Sequence, residues 1–271
     1  MWGFGFILRR FFTVSSKFVD NFNPFESSLF RIQSAKADVD DIEARLQGFR
    51  TTNGKNIIQR IDPDTGEHVL YVRFSQRVST QLRRQATNII SEGRHALDDA
   101  MSDAAVQLGR SDGKGVYFPT CEGACDLEGE IERKCRKVDP AMLNFVRVLE
   151  PYKHGKGELI WAMSKFAGVG KHRSLLPLTP TITKIAIQVG GSLRPLTPAP
   201  YPNTDNEFAI AVGSLGSDEK IGIAYDIGVN AKAIGLSFDG NASIRDIVGI
   251  AERIVLGLKA ETERIIRMRA P

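Results

Sequence analysis

An α+β fold with a helical core is what this sequence predicts, and two observations carry the prediction. Three long stretches, at about residues 24–49, 79–108 and 244–268, place apolar residues at three- and four-residue steps. That is the period of a helix burying one stripe. Between about 181 and 238 the pattern changes, and runs of Ile, Val, Tyr and Phe alternate with Gly, Pro and Asn. That composition suits a small antiparallel sheet. With 271 residues, 42% apolar and 25% charged, the chain is ordinary enough to bury a sizeable core, which excludes wholesale disorder.

The elements follow in order. Residues 1–19 include Trp2, Phe4, Phe6, Ile7, Leu8, Arg9 and Arg10. The apolar run is too short to span a bilayer, and its arginines follow the apolar residues, the reverse of a secretory signal. The stretch loosely resembles a basic amphipathic presequence. It is expected to stand apart from the fold as a disordered or mis-started arm. The first helix starts at an Asn23-Pro24 cap pair and turns Leu29, Ile32, Ala35, Val39, Ile42, Leu46 and Phe49 inward. A hairpin over Asn56–Ile61 and His68–Phe74 turns at Asp62-Pro63-Asp64-Thr65-Gly66. The second helix, Ser79 to Leu108, carries Gly93, Ala96, Ala100, Ala104 and Ala105, small enough for another helix to come close. Val116–Pro119 reads as extended. Short central helices follow at about 127–137, 140–149 and 158–169, the last stopped by Gly168-Val169-Gly170. Strands are expected at Ile182–Val189, Glu207–Val212, Lys220–Ile227 and Ala231–Phe238, with Leu193–Asn203 as a Pro-rich loop. The last helix, Ser243 to Met268, ends in arginines that suit its negative dipole end. Residues 20–176, helical with the hairpin, and residues 177–271, strands plus a helix, are expected to pack as one domain, with the hairpin either joining the later sheet or extending alone.

Charge and chemistry are unevenly spread. The net charge is +4, but Ile131–Arg173 holds ten Lys/Arg against four Asp/Glu. Arg133, Lys134, Arg136, Lys137 and Lys171 are therefore candidates for a nucleic-acid or anion surface, beside the plainer reading of a solvated helical face. Three cysteines, an odd number, and no secretory signal argue for a reducing cytoplasm rather than a disulfide framework. Cys121, Cys125 and Cys135 with His154 are spaced loosely for zinc, and Cys125 and Cys135 equally suit helix packing, so neither a metal nor a cofactor is expected. In the second helix Arg94 and Asp98 are four residues apart and share a face, with His95 beside Arg94. If Lys171, His172 and Arg173 reach them from another helix, the result is a polar pocket in which His172 is poised to exchange protons. The same residues also fit a buried network that pins helix packing.

The order Arg94-x-Ala96-Leu97-Asp98, Phe118-Pro119, Leu149-x-Pro151-Tyr152 and Lys171-His172-Arg173 resembles a group of bacterial helical proteins, over roughly residues 80–176. That resemblance implies a helical fold and no particular activity. More distantly the chain is similar to the HEPN superfamily of helical nucleases and toxins. That similarity implies a dimeric, metal-independent ribonuclease in which Arg binds phosphate and His assists the ribose hydroxyl. The residue five after Arg94 is Asp99 rather than His, and the matching Arg147-x6-His154 pair straddles Pro151, so Arg94, His95, His172 and Arg173 are the candidates there. Phosphate-loop, dinucleotide, Gly-x-Ser-x-Gly and His-Glu-x-x-His patterns are absent. Three functions stay open. The first is a non-catalytic binding or structural protein of a bacterium or phage. The second is a HEPN-like ribonuclease or defence protein. The third is a binder of nucleic acid or another anionic ligand through residues 131–173. The expected partners are such an anion or a second copy of the chain, and no membrane.

Overall fold

The structure is a computed structural model that describes residues 23–109, 113–172, 175–189, 192–195, 207–212, 220–229 and 243–270. It shows an α+β fold with a helical core. Helix α1 (Glu26–Thr52) leads into the hairpin of β1 (Lys55–Ile61) and β2 (His68–Phe74), and helix α2 (Thr80–Gln107) follows. A short 3-10 turn (Ala124–Asp126) opens α3 (Leu127–Cys135). Then come α4 (Pro140–Leu149), α5 (Glu158–His172), strands β3 (Leu178–Val189), β4 (Ser192–Pro195), β5 (Glu207–Val212) and β6 (Lys220–Val229), and helix α6 (Ile244–Arg269).

Local chemistry sets several of these boundaries. Ser79 caps α2 by accepting the Leu82 N–H, Asp139 caps α4 with Pro140 at its first position, and Ser243 and Asp246 form a reciprocal capping box on α6. At α1 the Asn23-Pro24 cap does not form. The helix begins after Phe25, which adopts a left-handed conformation (φ 67°) with no side-chain cap. Its ring is 3% exposed, and its N–H donates to Asp103 Oδ2 at 2.8 Å. Burial of the ring, worth about 1.5–3 kcal/mol, and that hydrogen bond offset the backbone cost of a left-handed aromatic residue. Helix α5 likewise continues through Gly168 and Gly170 to His172. Glycine permits a stop without imposing one, and the buried face of Ile160, Trp161, Met163 and Phe166 offsets a propensity cost of about 1 kcal/mol per glycine.

Among the described residues the strands form two three-stranded antiparallel sheets rather than one, in the orders β1-β2-β5 and β4-β3-β6. The early hairpin therefore gains a third strand from the far end of the chain, with Val72 opposite Phe208 and an irregularity between Leu70 and Tyr71. Strand β3 starts four residues before the expected Ile182, and Ser192–Pro195, expected at the edge of a loop, pairs with it as β4. The segments expected at Ala231–Phe238 and at residues 1–19 lie outside the described residues.

Two apolar clusters sit along α2. Its first half packs with Val39 and Ile42 of α1, with Leu70, Val72 and Phe74 of β2, with Ile210 of β5 and with Val248 of α6. Phe74 and Phe208 meet edge to face at 5.7 Å. Its second half packs through Leu97 and Met101 with Phe118, Trp161, Phe166 and Ile254. Close approach is allowed where α2 is thin: a Cβ at Gly93 would sit 3.3 Å from Met163 Sδ and 3.7 Å from Ala251 Cβ. Among the described residues, no helix is long and apolar enough to cross a membrane.

Candidate functional site

The Gly93–Met163 contact brings the middle of α2 against α5, and the next residue on each helix, Arg94 and Ser164, opens onto a cleft of about 760 Å³. That is a size suited to a small ligand. Helix α3 and the Thr120–Asp126 segment form the other wall. The segment is held by the Cys121 N–H on the Pro151 carbonyl (3.3 Å) and by a parallel bridge to Tyr152.

Arg94 has a structural task as well as a place in the cleft. Its guanidinium donates to Asp98 Oδ1 at 2.5 Å and to the Phe118 carbonyl at 2.9 Å, while Asp98 Oδ1 accepts the Phe118 N–H at 2.9 Å. The pair is 12% and 21% exposed. It pins the extended Val116–Pro119 segment to α2, one reason that segment needs no sheet partner.

Three other cations reach the cleft, and each is tied to a carboxylate. Arg133 and Lys134 of α3 both contact Glu130 at 2.8 Å, and Lys165 of α5 pairs with Glu122. Burial alone would raise the Glu130 carboxyl, but hydrogen bonds from Arg133 and Lys134 outweigh it and hold the group below its usual range. The Lys165 ammonium also lies 6.0 Å from the centre of the Trp161 ring. Two polar atoms on α5, Ser164 Oγ and Trp161 Nε1, are buried with no hydrogen-bond partner among the described residues. Asp126, also on the cleft wall, accepts a hydrogen bond from the Cys125 thiol (3.6 Å), and its carboxylate has no cationic partner among the described residues.

The remaining sequence candidates fall elsewhere. His95 sits on a different face of α2 from Arg94, 4.0 Å from Glu92. There Arg31 of α1 binds Glu92 at 2.6 Å and Asp99 at 2.7 Å. Those hydrogen bonds, to Asp99 first and then Glu92, raise the guanidinium above its ordinary value. Asp98 and Asp99, adjacent in sequence, therefore serve different neighbours. Lys137 donates to the Lys114 carbonyl at 3.1 Å, and Arg136 is exposed at the end of α3. The side chains of Lys171 and His172, and Arg173 altogether, lie outside the described residues, and so does the convergence expected of them. The cysteines do not gather with His154, whose imidazole faces Glu158 at 3.2 Å. Among the described residues no three His, Cys, Asp or Glu side chains form a metal-type cluster. The Cys135 thiol is pushed up to about 12 by burial and donates to the Tyr117 carbonyl, and burial also raises Cys121. Thiols held protonated are poor nucleophiles and poor ligands.

Sequence reasoning found Arg94, Arg133 and Lys134 as members of two separate groups. It did not single out Ser164, Lys165, Glu122 or Asp126, for which the sequence carries no spacing signal. The chain matches no protein-family model, no curated protein and no solved structure.

Proposed function

We propose that this chain is a non-catalytic binding protein that takes an anionic ligand in the cleft between α2, α3 and α5. The observation that carries this is the arrival of Arg94, Arg133, Lys134 and Lys165, from three helices, at one cavity. Hydrogen bonds to charged groups contribute about 1.5–3 kcal/mol each. Two or three of them, less the cost of ordering, correspond to affinities between about millimolar and micromolar. None of the described residues lining the cleft is a histidine, and the buried thiol of Cys121 is held protonated, which supports binding over catalysis. With three free cysteines, the protein is read as working in the reducing cytoplasm.

The test is titration with ethyl phosphate by calorimetry at low and high salt. Saturable binding that weakens with salt, and is weakened further by Lys165→Ala, is expected. No heat and no rise in Tm at millimolar ligand would overturn the reading.

The placement of Arg94 in this cleft also favours a second reading, a dimeric, metal-independent ribonuclease of the HEPN type, with His172 as the assisting base. It predicts cleavage of bulk RNA with chelator present and loss of cleavage in His172→Ala. Equal rates in both proteins would remove it.

A further inference from the structure

We infer that the ligand of the cleft is a zwitterion rather than a simple anion, with its ammonium group bound at Asp126. This rests on the cleft being a binding site. The lining holds four cations, Arg94, Arg133, Lys134 and Lys165, against three carboxylates, Glu122, Asp126 and Glu130. A site for an anion alone gains nothing from the third carboxylate. Glu130 and Glu122 are already neutralised by Lys134 and Lys165, whereas Asp126 faces the same space without a counter-charge among the described residues.

The charges are also ordered along the cleft. Asp126, the N-cap residue of α3, is followed at four-residue steps by Glu130 and Lys134, which share one face of that helix. Arg133 and Lys134 share the single Glu130, each at 2.8 Å, which leaves a negative end at Asp126 and one surplus positive charge at the Arg133–Lys134 end. Lys134 and Arg94 both line the cleft and are linked through one segment, the Lys134 carbonyl accepting the Tyr117 N–H (3.2 Å) while the Arg94 guanidinium binds the Phe118 carbonyl. With a rise of about 1.5 Å per residue, the two ends are roughly 12 Å apart. Allowing for the reach of both side chains, the ligand's own charges are separated by roughly 6–10 Å. A pure anion at the Arg94 end would feel the Asp126 charge as repulsion, and a molecule bearing an amine at that distance converts it to attraction.

The experiment compares hexyl phosphate with aminohexyl phosphate, which differ only in the terminal ammonium, by calorimetry on the full chain and on Asp126→Asn. Asp126 is exposed and its side chain makes no capping hydrogen bond, so the variant is expected to fold, and its circular dichroism and Tm check this. Aminohexyl phosphate should bind about 1.5-fold to fivefold more tightly than hexyl phosphate, the range for an exposed ion pair. That preference should vanish in Asp126→Asn. Equal affinity of the two probes for the native chain, or a preference that survives the substitution, would overturn the zwitterion inference and leave the anion site standing. Absence of binding by either phosphate would remove both.

Discussion

Removing Arg94 tests whether its ion pair is chiefly a structural clamp. In Arg94→Ala the Phe118 carbonyl, on a residue with 0% exposure, loses its donor, and an unsatisfied buried acceptor costs about 1–3 kcal/mol. Asp98 loses its counter-charge as well. Because the pair is 12% and 21% exposed, this adds less than the about 3–5 kcal/mol of a fully buried pair that is broken. A total of about 2–4 kcal/mol is expected, or a fall in Tm of roughly 4–16 °C for a domain of this size. Asp98→Ala should cost about as much, since it frees both the guanidinium and the Phe118 N–H. The double variant leaves no orphaned charge, so it should be more stable than the sum of the single losses implies, with a coupling of about 1–3 kcal/mol. Urea denaturation of the four proteins, followed by circular dichroism, measures this directly. Additivity within about 0.5 kcal/mol, or a loss below about 1 kcal/mol in either single variant, would show that the pair is a solvated surface contact and refute the clamp.

Other consequences are equally concrete. Gly93→Val should cost about 1–3 kcal/mol by overpacking against Met163 and Ala251. Gly93→Ala should be near neutral, because the nearest atom is a flexible thioether sulfur and the helix gains about 1 kcal/mol of propensity. Equal stability of the valine variant and the native chain would show that α5 and α6 do not sit this close. For Asp103, burial raises the carboxyl above its ordinary value, the Phe25 N–H opposes this, and Asp99 adds to the rise. The folded chain therefore binds that proton more tightly than the unfolded one, and loses stability as pH climbs from the unfolded value through the folded one. Asp103→Asn keeps an acceptor for Phe25. It should match the native chain in acid and equal or exceed it in Tm at neutral pH. A variant that loses Tm only at neutral pH would reverse the sign and the argument. Glu207 joins β5 to the hairpin through Arg60 and Arg73, but both arginines are half exposed. Glu207→Gln should therefore cost no more than about 1 kcal/mol, measured by the same denaturation, and a larger loss would mean that β5 depends on this charge rather than on its buried face.

Periodicity and end signals determined much of the fold. Helices α2, α4 and α6 begin where Ser79, Asp139-Pro140 and Ser243 mark them, because a cap acts within one turn and needs no distant partner. The hairpin and its turn were legible for the same reason. Tertiary contacts decided the rest. Phe25 replaces Asn23 at the start of α1 because its ring finds a buried site and its N–H finds Asp103. Helix α5 runs past two glycines because its apolar face is covered. The strands divide between two sheets because pairing is chosen among segments far apart in the chain, and β5 pairs with β2 across more than a hundred residues. The cleft belongs to this second kind. Arg94 and the basic run near residue 133 were visible as charges, but Ser164, Lys165 and Asp126 look like any other polar surface residues in a sequence. Nothing local marks a group as unpartnered, since whether a charge or hydroxyl finds a counterpart is settled only when three helices are brought together.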